Sequence, residues 1–414
     1  MKRLNLTITA QAPLAIGQRK PGGSVSEAMD YIPGTVIRGA IAGKLLQHGT
    51  PEAGDDFHKL FVDERAVIFQ NAYPAIAKVW NEQDDEYHYE LSPGKTRVLP
   101  ATALSSKTDS GFKPRKAGVF DALIDSFCAR GQGLFYEPNS KEGDRVEPFN
   151  GFYSKIDDQY VPHSVSKRLL TRVGINRRRA TAQDEILYSL EVLNESQGKL
   201  NRQPTVYKGS IMIDEDTLAD ALYTFIGQNR DRFRLGGSAS RGLGQVEISV
   251  DQEDVAVSTQ AVQTRLNAFN DSLHQRWQQW NIFGASPQPI EGKTYFSIGL
   301  ESEAILVENW RRTFVLSEEI LSNLLSTQVK LEMAYSSYSY CSGWNVAWGL
   351  AKDVELVTAM GSVFLFSIPG TDQNNWIEPL AELERIGIGE RTSEGFGQIT
   401  VCDEFHQVMR EEPA

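Results

Sequence analysis

Cysteine is scarce in this 414-residue chain. Cys128, Cys341 and Cys402 are far apart and odd in number, which argues against a disulfide framework and against a self-contained zinc site. No metal or other cofactor is expected. No apolar run approaches the roughly 20 residues of a membrane span, so no membrane partner is expected. The opening Met1-Lys-Arg-Leu-Asn-Leu-Thr-Ile8 alternates apolar with polar residues, as a strand does and a leader does not. The expected compartment is the cytoplasm. Positive charge is also short: 42 Lys and Arg face 54 Asp and Glu, a net charge of −12. That speaks against nonspecific coating of nucleic acid. One stretch departs from the acidic average. Between Ser164 and Gln183 there is no acidic residue, while Lys167, Arg168, Arg172, Arg177, Arg178 and Arg179 all fall there. A basic strip on an acidic body fits nucleic acid held along a defined track, with protein neighbours elsewhere.

Glycine is plentiful, and it is placed twice in the same way. Leu235-Gly-Gly-Ser-Ala-Ser-Arg-Gly-Leu-Gly-Gln-Val246 aligns without a gap on Ile388-Gly-Glu-Arg-Thr-Ser-Glu-Gly-Phe-Gly-Gln-Ile399. Each copy leads into an alternating run that reads as a strand. Two loop-then-strand endings, one per half, imply a duplicated domain. The order of elements limits what the loop can be. A dinucleotide-binding glycine motif follows a strand and opens a helix, whereas these glycines precede the strand. A Walker loop needs Gly-Lys-Ser/Thr, and Gly242 is followed by Leu243. What remains is a side-chain-poor backbone. Gly236, Gly237, Ser238, Ser240, Arg241, Gly242 and Gly244 could bring amides close to a polyanion. Two tight turns after helices would use the same glycines.

Along the chain, Leu4–Ile8 reads as a strand. Pro33-Gly34 reads as a turn opening a helix to Leu46, with Thr35 as N-cap. Arg38 sits in that first turn, where a bound phosphate would explain it and a solvated arginine is the alternative. Ala66–Phe69 reads as a buried strand, and residues 81–118 and 137–151 as long loops or insertions. Tyr207–Ile213 is an expected strand and Asp216–Asn229 an amphipathic helix with Leu218, Leu222 and Phe225 on one side. Helix, glycine loop and terminal strand would end a βαββαβ ferredoxin-like unit. Residues 251–260 read as a linker. Val262, Leu266, Phe269, Leu273, Trp277 and Trp280 then recur at helical spacing, as in a packing helix between domains. Pro287 and Pro289 break the chain. Tyr295–Leu300, Ser317–Leu325, Met360–Ile368 and Leu380–Arg385 read as strand, helix, strand and helix of a second unit with few insertions. The expected architecture is α+β: two ferredoxin-like (RRM-like) domains with insertions and glycine-rich loops, over 1–250 and 291–414, joined by a helical linker over 251–290.

Several stretches match one family in order. Ile32-Pro-Gly-Thr-Val-Ile-Arg-Gly-Ala40 resembles the N-terminal turn and helix of the RAMP superfamily of CRISPR-associated proteins. Phe61–Pro74, Leu99–Lys107, Gly118–Leu123, Arg172–Ala182 with Leu187-Tyr188-Ser189, Gly343-Trp344-Asn345, Gly361–Phe364 and Gly387–Arg391 are similar to the type III-D member, a Csx-group, Cas-five-type subunit. The resemblance covers most of the chain. It implies a noncatalytic role in an RNA-guided effector complex of antiviral defence. The partners it implies are the crRNA, gripped by its 5′ tag, the large polymerase-like subunit, the backbone RAMP subunits and, indirectly, target RNA. Relatives often carry paired cysteines within residues 100–150. Only Cys128 stands there in this chain, so no zinc is expected.

The residues agree with a grip. Arg38, Lys167, Arg168, Arg172 and Arg177–Arg179 offer charge and planar forks for phosphates, and the Gly236–Gly244 loop offers backbone. Tyr153, Tyr160 and Tyr188, and Tyr335, Tyr338 and Tyr340, are either stacking surfaces for bases or core. Cutting would make the chain an endoribonuclease and needs other groups. His163, near the basic strip, is a candidate base for precursor cleavage. Asp30, just before the Pro33-Gly34 turn, is a candidate for target cleavage, or caps the turn. The second loop, with Glu390 and Glu394 beside Arg391, is expected to be structural or to face a protein.

Overall fold

The computed structural model describes residues 1–18, 27–47, 49, 54–63, 66–81, 86–176, 181–198, 202–255, 258–283, 290–345, 349–370 and 374–414. Arg177, Arg178 and Arg179, and the expected break at Pro287 and Pro289, lie outside the described residues.

The chain forms a mixed α/β structure of antiparallel sheets. Strand β1 (Lys2–Ala10), helix α1 (Gly34–Leu45), strands β2 (Val67–Phe69) and β3 (Val206–Ile213), helix α2 (Asp216–Gln228) and strand β4 (Gln245–Asp254) make the first unit. Its central strands lie in the order β4-β1-β3-β2. Leu4, Leu6 and Ile8 of β1 are buried, while Arg3, Asn5 and Thr7 alternate onto the other face, as a strand with one covered side requires. Helix α1 buries Ile37 and Ile41, and α2 buries Leu218, Leu222 and Ile226, one stripe each at helical spacing. After helix α3 (Thr259–Trp280), the elements repeat: β5 (Lys293–Leu300), α4 (Glu318–Leu325), β6 (Lys330–Tyr335), β7 (Val363–Pro369), α5 (Asn374–Ile386) and β8 (Ile399–Val401). The second sheet reads β8-β5-β7-β6, the same order.

The repetition extends to single residues. Ala10 pairs with Val246 and Leu300 with Ile399. Four residues after each of these, Leu14 bridges Leu193 and Ala304 bridges Thr358. Each bridge meets the end of a hairpin. In the first unit the hairpin is Lys167–Asn176 with Thr181–Leu193. In the second it is Tyr338–Cys341 with Glu355–Thr358.

Four expectations require correction. Thr35 does not cap α1. The helix starts at Gly34, whose amide donates to the Asn71 side-chain oxygen at 2.8 Å, so the cap comes from a distant segment. Residues 81–118 are not a plain loop. Ile76–Asn81 pairs with Glu86–Leu91, and Trp80 sits opposite Tyr87 with ring centroids 4.8 Å apart. The guanidinium of Arg115 lies 3.7 Å over the Trp80 ring, and the Lys78 ammonium 4.2 Å over Tyr87. Cross-strand aromatic pairs hold such a hairpin together. The expected linker begins too early, because β4 stays paired with β1 out to Asp254. The second half also carries an insertion that was not anticipated, the Tyr338–Thr358 hairpin.

Helix α3 is less a connector than part of a core. Val262, Leu266, Phe269, Leu273 and Trp277 are buried among residues of the second sheet. The helix Leu123–Gly131, from an insertion in the first half, packs into the same cluster. The wholly buried Asp125 accepts from Arg276 at 2.8 and 2.7 Å and from the Trp280 indole at 2.8 Å. A buried charge is tolerated only when paired and hydrogen-bonded in this way. Ala414 and Val119 exchange backbone hydrogen bonds at 2.9 Å in both directions. The halves are therefore interlocked.

Candidate nucleic-acid interface

The two glycine loops share one backbone. Left-handed residues fall at matching positions: Gly236 and Gly389, Ser238 and Arg391, Gly242 and Gly395, Gly244 and Gly397. One short 3-10 turn sits inside each, Ala239–Arg241 and Thr392–Glu394. The tethers match as well. Gly237 donates to Ala15 and Gly244 to Pro13, at 2.8 and 2.9 Å; Glu390 donates to Ile305 and Gly397 to Glu303, at 2.9 and 2.8 Å. The glycine pattern is thus a demand of this turn in both copies. Any ligand role rests on what surrounds each apex.

The second apex is used internally. It packs on the Pro33-Gly34 end of α1. A Cβ placed on Gly395 would stand 2.7 Å from the Phe69 carbonyl oxygen and 2.9 Å from the Asn71 side-chain oxygen. The Glu394 carboxylate meets Arg391 at 2.5 Å, Lys352 at 3.3 Å and Arg38 at 3.7 Å. Burial alone would raise its pKa, but Arg391, Lys352 and Arg38 together hold it below the usual glutamate range. This corrects the expectation for Arg38. Its guanidinium also donates to the Phe61 carbonyl and lies 5.9 Å from the Phe61 ring centroid. With the α1 amide taken by Asn71 and the cation by Glu394, this helix end is not an open phosphate site.

The first apex is open. Ala239, Ser240, Arg241 and Gly242 are exposed and Ser238 is half-buried. The amides of Ser238 and Ala239 donate to no carbonyl among the described residues. The basic hairpin reaches this apex. Arg172 pairs directly across from Tyr188, which places both side chains on one face. Arg241 lies 5.4 Å from the centroid of the Tyr188 ring and donates to its hydroxyl. Arg172, Tyr188 and Arg241 thus form a cation–aromatic cluster from two distant segments. The base of the same hairpin is neutralised. Lys167 pairs with Asp30 at 2.7 Å and Glu191 at 3.7 Å, and Arg168 with Glu195 at 3.0 Å. The expected strip therefore divides into an ion-paired base and a middle where half-buried Arg172 lies across from exposed Tyr188.

A family model, the RAMP superfamily, matches residues 7–247. The chain belongs to the RAMP superfamily. Among solved structures, it is similar to a chain of the Type III-B Cmr-beta complex bound to cognate target RNA and AMPPnP. That match has 13% identity over 87% of this chain and 86% of that one, with a TM-score of 0.39. It is similar to oligomeric Cmr4 from Pyrococcus furiosus, at 13% identity over 61% and 99% of the two chains and a TM-score of 0.26. A chain of a Type IV-B CRISPR complex gives 12% identity over 60% and 90%, with a TM-score of 0.26. No curated protein matches.

The other candidates in this RAMP chain are placed less favourably. His163 is 4% exposed, its ring 2.8 Å from the Ser154 hydroxyl. Burial pushes its pKa down to about 4, so it is neutral and shielded from an RNA hydroxyl. Asp30 is exposed, but its carboxylate is paired with Lys167. It lines a pocket of about 610 Å³ together with Glu191 and Glu303. Burial raises the Glu303 carboxyl to about 7. Tyr153 is buried and donates to Asp403 at 2.7 Å. Tyr160 stacks among Phe112, Tyr153 and Phe405. Of these three tyrosines, Tyr188 alone is exposed. A larger cleft of about 700 Å³ separates the open face of the first sheet from α3 and α5. Most of its cations are spent on carboxylates: Arg3 on Glu253, Arg97 on Asp403, Arg265 on Glu384 and Arg385 on Glu382. No helix among the described residues is long and apolar enough to cross a membrane.

Proposed function

We propose that this RAMP protein is a noncatalytic RNA-binding subunit of a type III-D CRISPR effector, of the Cas-five type. It grips the 5′ tag of the crRNA and docks the large polymerase-like subunit beside the backbone RAMP subunits in the cytoplasm. Target RNA is met indirectly. The chain is read as two ferredoxin-like units, the first running to Asp254 at the end of β4 and the second over 291–414, with helix α3 between them packed into the second core. The strand order of each sheet, with the fourth strand next to the first and the second at the far edge, supports that reading.

The observation that carries the RNA role is the meeting of Arg172, Tyr188 and Arg241 at the exposed first glycine loop. Two guanidiniums bind phosphates in a planar, charge-assisted way. An exposed tyrosine beside Arg241 and across the hairpin from Arg172 gives a base a ring to stack on, worth about 1–3 kcal/mol per base. Ser238, Ser240 and Gly242 keep side-chain bulk away from the strand, on a turn that Gly236, Gly237 and Gly244 make possible. Arg177, Arg178 and Arg179 continue the cationic run in the sequence.

The test is purification of the complex carrying Arg172→Ala with Arg241→Ala. The expected result is normal protein neighbours and loss of RNA with a uniform 5′ end. Unchanged RNA content at normal assembly refutes the grip. The same wild-type preparation, incubated with labelled RNA on a denaturing gel, is expected to leave it intact.

A further inference from the structure

Trp310 is anomalous in two ways. It stands at the tip of a hairpin between Leu306–Glu308 and Arg311–Thr313, where Asn309 (φ 48°) and Trp310 (φ 63°) are both left-handed. Two-residue turns of this kind select Asn followed by Gly. The asparagine is in place, but a tryptophan occupies the glycine position. A left-handed backbone at a bulky residue is a strained outlier. The indole is also 99% exposed, and among the described residues it has no hydrogen bond, cation or ring partner. Nothing among the described residues offsets either cost. Strain and exposed aromatic surface held at one residue mark a functional contact rather than a packing one.

The surroundings say what kind of contact. Arg311 follows, exposed. Arg312 is spent between Glu355 at 3.0 Å and Glu390. Glu308 belongs to the same hairpin, its carboxylate accepting from the Ser317 hydroxyl. Carboxylates outnumber available cations here, which disfavours a phosphate backbone. Beyond the hairpin, partly exposed Phe314 contacts Tyr338, and Tyr338 contacts Tyr340, each pair 5.8 Å between ring centroids. Tyr338 occupies the register position that Lys167 holds in the first unit. A surface rich in aromatics, poor in free cations and carrying a Trp-Arg pair has the composition of a protein–protein hot spot.

We propose that Trp310 anchors a protein partner: its indole enters an apolar pocket on that neighbour, and Arg311 meets a carboxylate at the pocket's rim. The inference does not rest on the RNA role, and loss of RNA in the Arg172 and Arg241 variants leaves it standing.

The experiment places the photo-crosslinker p-benzoylphenylalanine at position 310 in the full chain in its own host. The joined peptide is identified by mass spectrometry. That protein is then purified and titrated against wild type, Trp310→Ala, and the Arg172→Ala/Arg241→Ala variant. The expected result is a protein crosslink, binding at least about tenfold weaker for Trp310→Ala, and unchanged binding for the double variant. Trp310→Gly is expected to melt no lower than wild type, since glycine is at ease in the left-handed region. A crosslink to nucleotide, no crosslink, equal affinity of Trp310→Ala, or a lower melting point for Trp310→Gly overturns the proposal.

Discussion

The two glycine loops have the same backbone and opposite employment. At the first, the apex is open, with the Tyr188 ring of the basic hairpin against its Arg241. At the second, the apex is buried against α1, and its one carboxylate gathers Arg391, Lys352 and Arg38. A repeated motif therefore fixes a turn, and the chemistry of the turn comes from segments far away in sequence. The second copy closes the molecule on itself, which frees the first to face outward.

The largest expected effect tests that difference with one substitution made twice. Gly242 and Gly395 occupy matching positions with φ of 84° and 95°. Alanine at either carries the left-handed penalty of about 1 kcal/mol. At Gly242 the new methyl would meet nothing within 4 Å, whereas at Gly395 it would press on Phe69 and Asn71. Overpacking adds about 1–3 kcal/mol. Gly395→Ala is expected to destabilise by about 3 kcal/mol and Gly242→Ala by about 1, read from denaturant midpoints. Equal losses would mean the second loop is not wedged.

A smaller effect concerns Glu394. Glu394→Gln leaves three cations without their carboxylate and is expected to cost about 2 kcal/mol at pH 7. The folded-state pKa is depressed. The contribution is therefore present above the unfolded value of about 4.3 and is lost as pH falls through the lower folded value. The gap between wild type and variant should narrow as pH falls below about 4.3 and close below the folded value. A gap that persists there would show that shape, not charge, holds the second apex.

This contrast also separates what the sequence could disclose from what it could not. Strands and helices with a clear period, such as β1, α2 and α3, were legible, because burial on one side leaves its mark every two or every three to four residues. The duplication was legible because glycine is favoured where the backbone turns left-handed, and Gly236, Gly242 and Gly244 recur as Gly389, Gly395 and Gly397. The use of Arg38 was not: its partner Glu394 is 356 positions away, as the numbering shows, and nothing local marks a cation as paired. The division of the basic strip was hidden for the same reason, since Asp30 and Glu195 lie outside it. The Arg241–Tyr188 contact joins two residues that were each visible as candidates, but only the fold brings them together. The role of Leu123–Gly131 in the second core was out of reach, because an amphipathic helix does not announce which core it enters.

The smallest expected effect is on the salt dependence of RNA binding. Every phosphate contact releases counterions, so losing one reduces the slope of log affinity against log salt by about one unit. Among the described residues Arg241 has only Tyr188 as partner and is available to a phosphate. Lys167 is held by Asp30 and Glu191 and is not. Arg241→Ala is therefore expected to flatten the slope by about one unit, and Lys167→Met to leave it unchanged. Arg241→Ala should shift stability by no more than about 0.5 kcal/mol, as surface changes do. Titrations of a single-stranded RNA between low and moderate salt read both slopes. If Lys167→Met flattens the slope as much as Arg241→Ala, the ion pair at the hairpin base opens for RNA. The interface would then run down the hairpin to Asp30, instead of stopping at the first glycine loop.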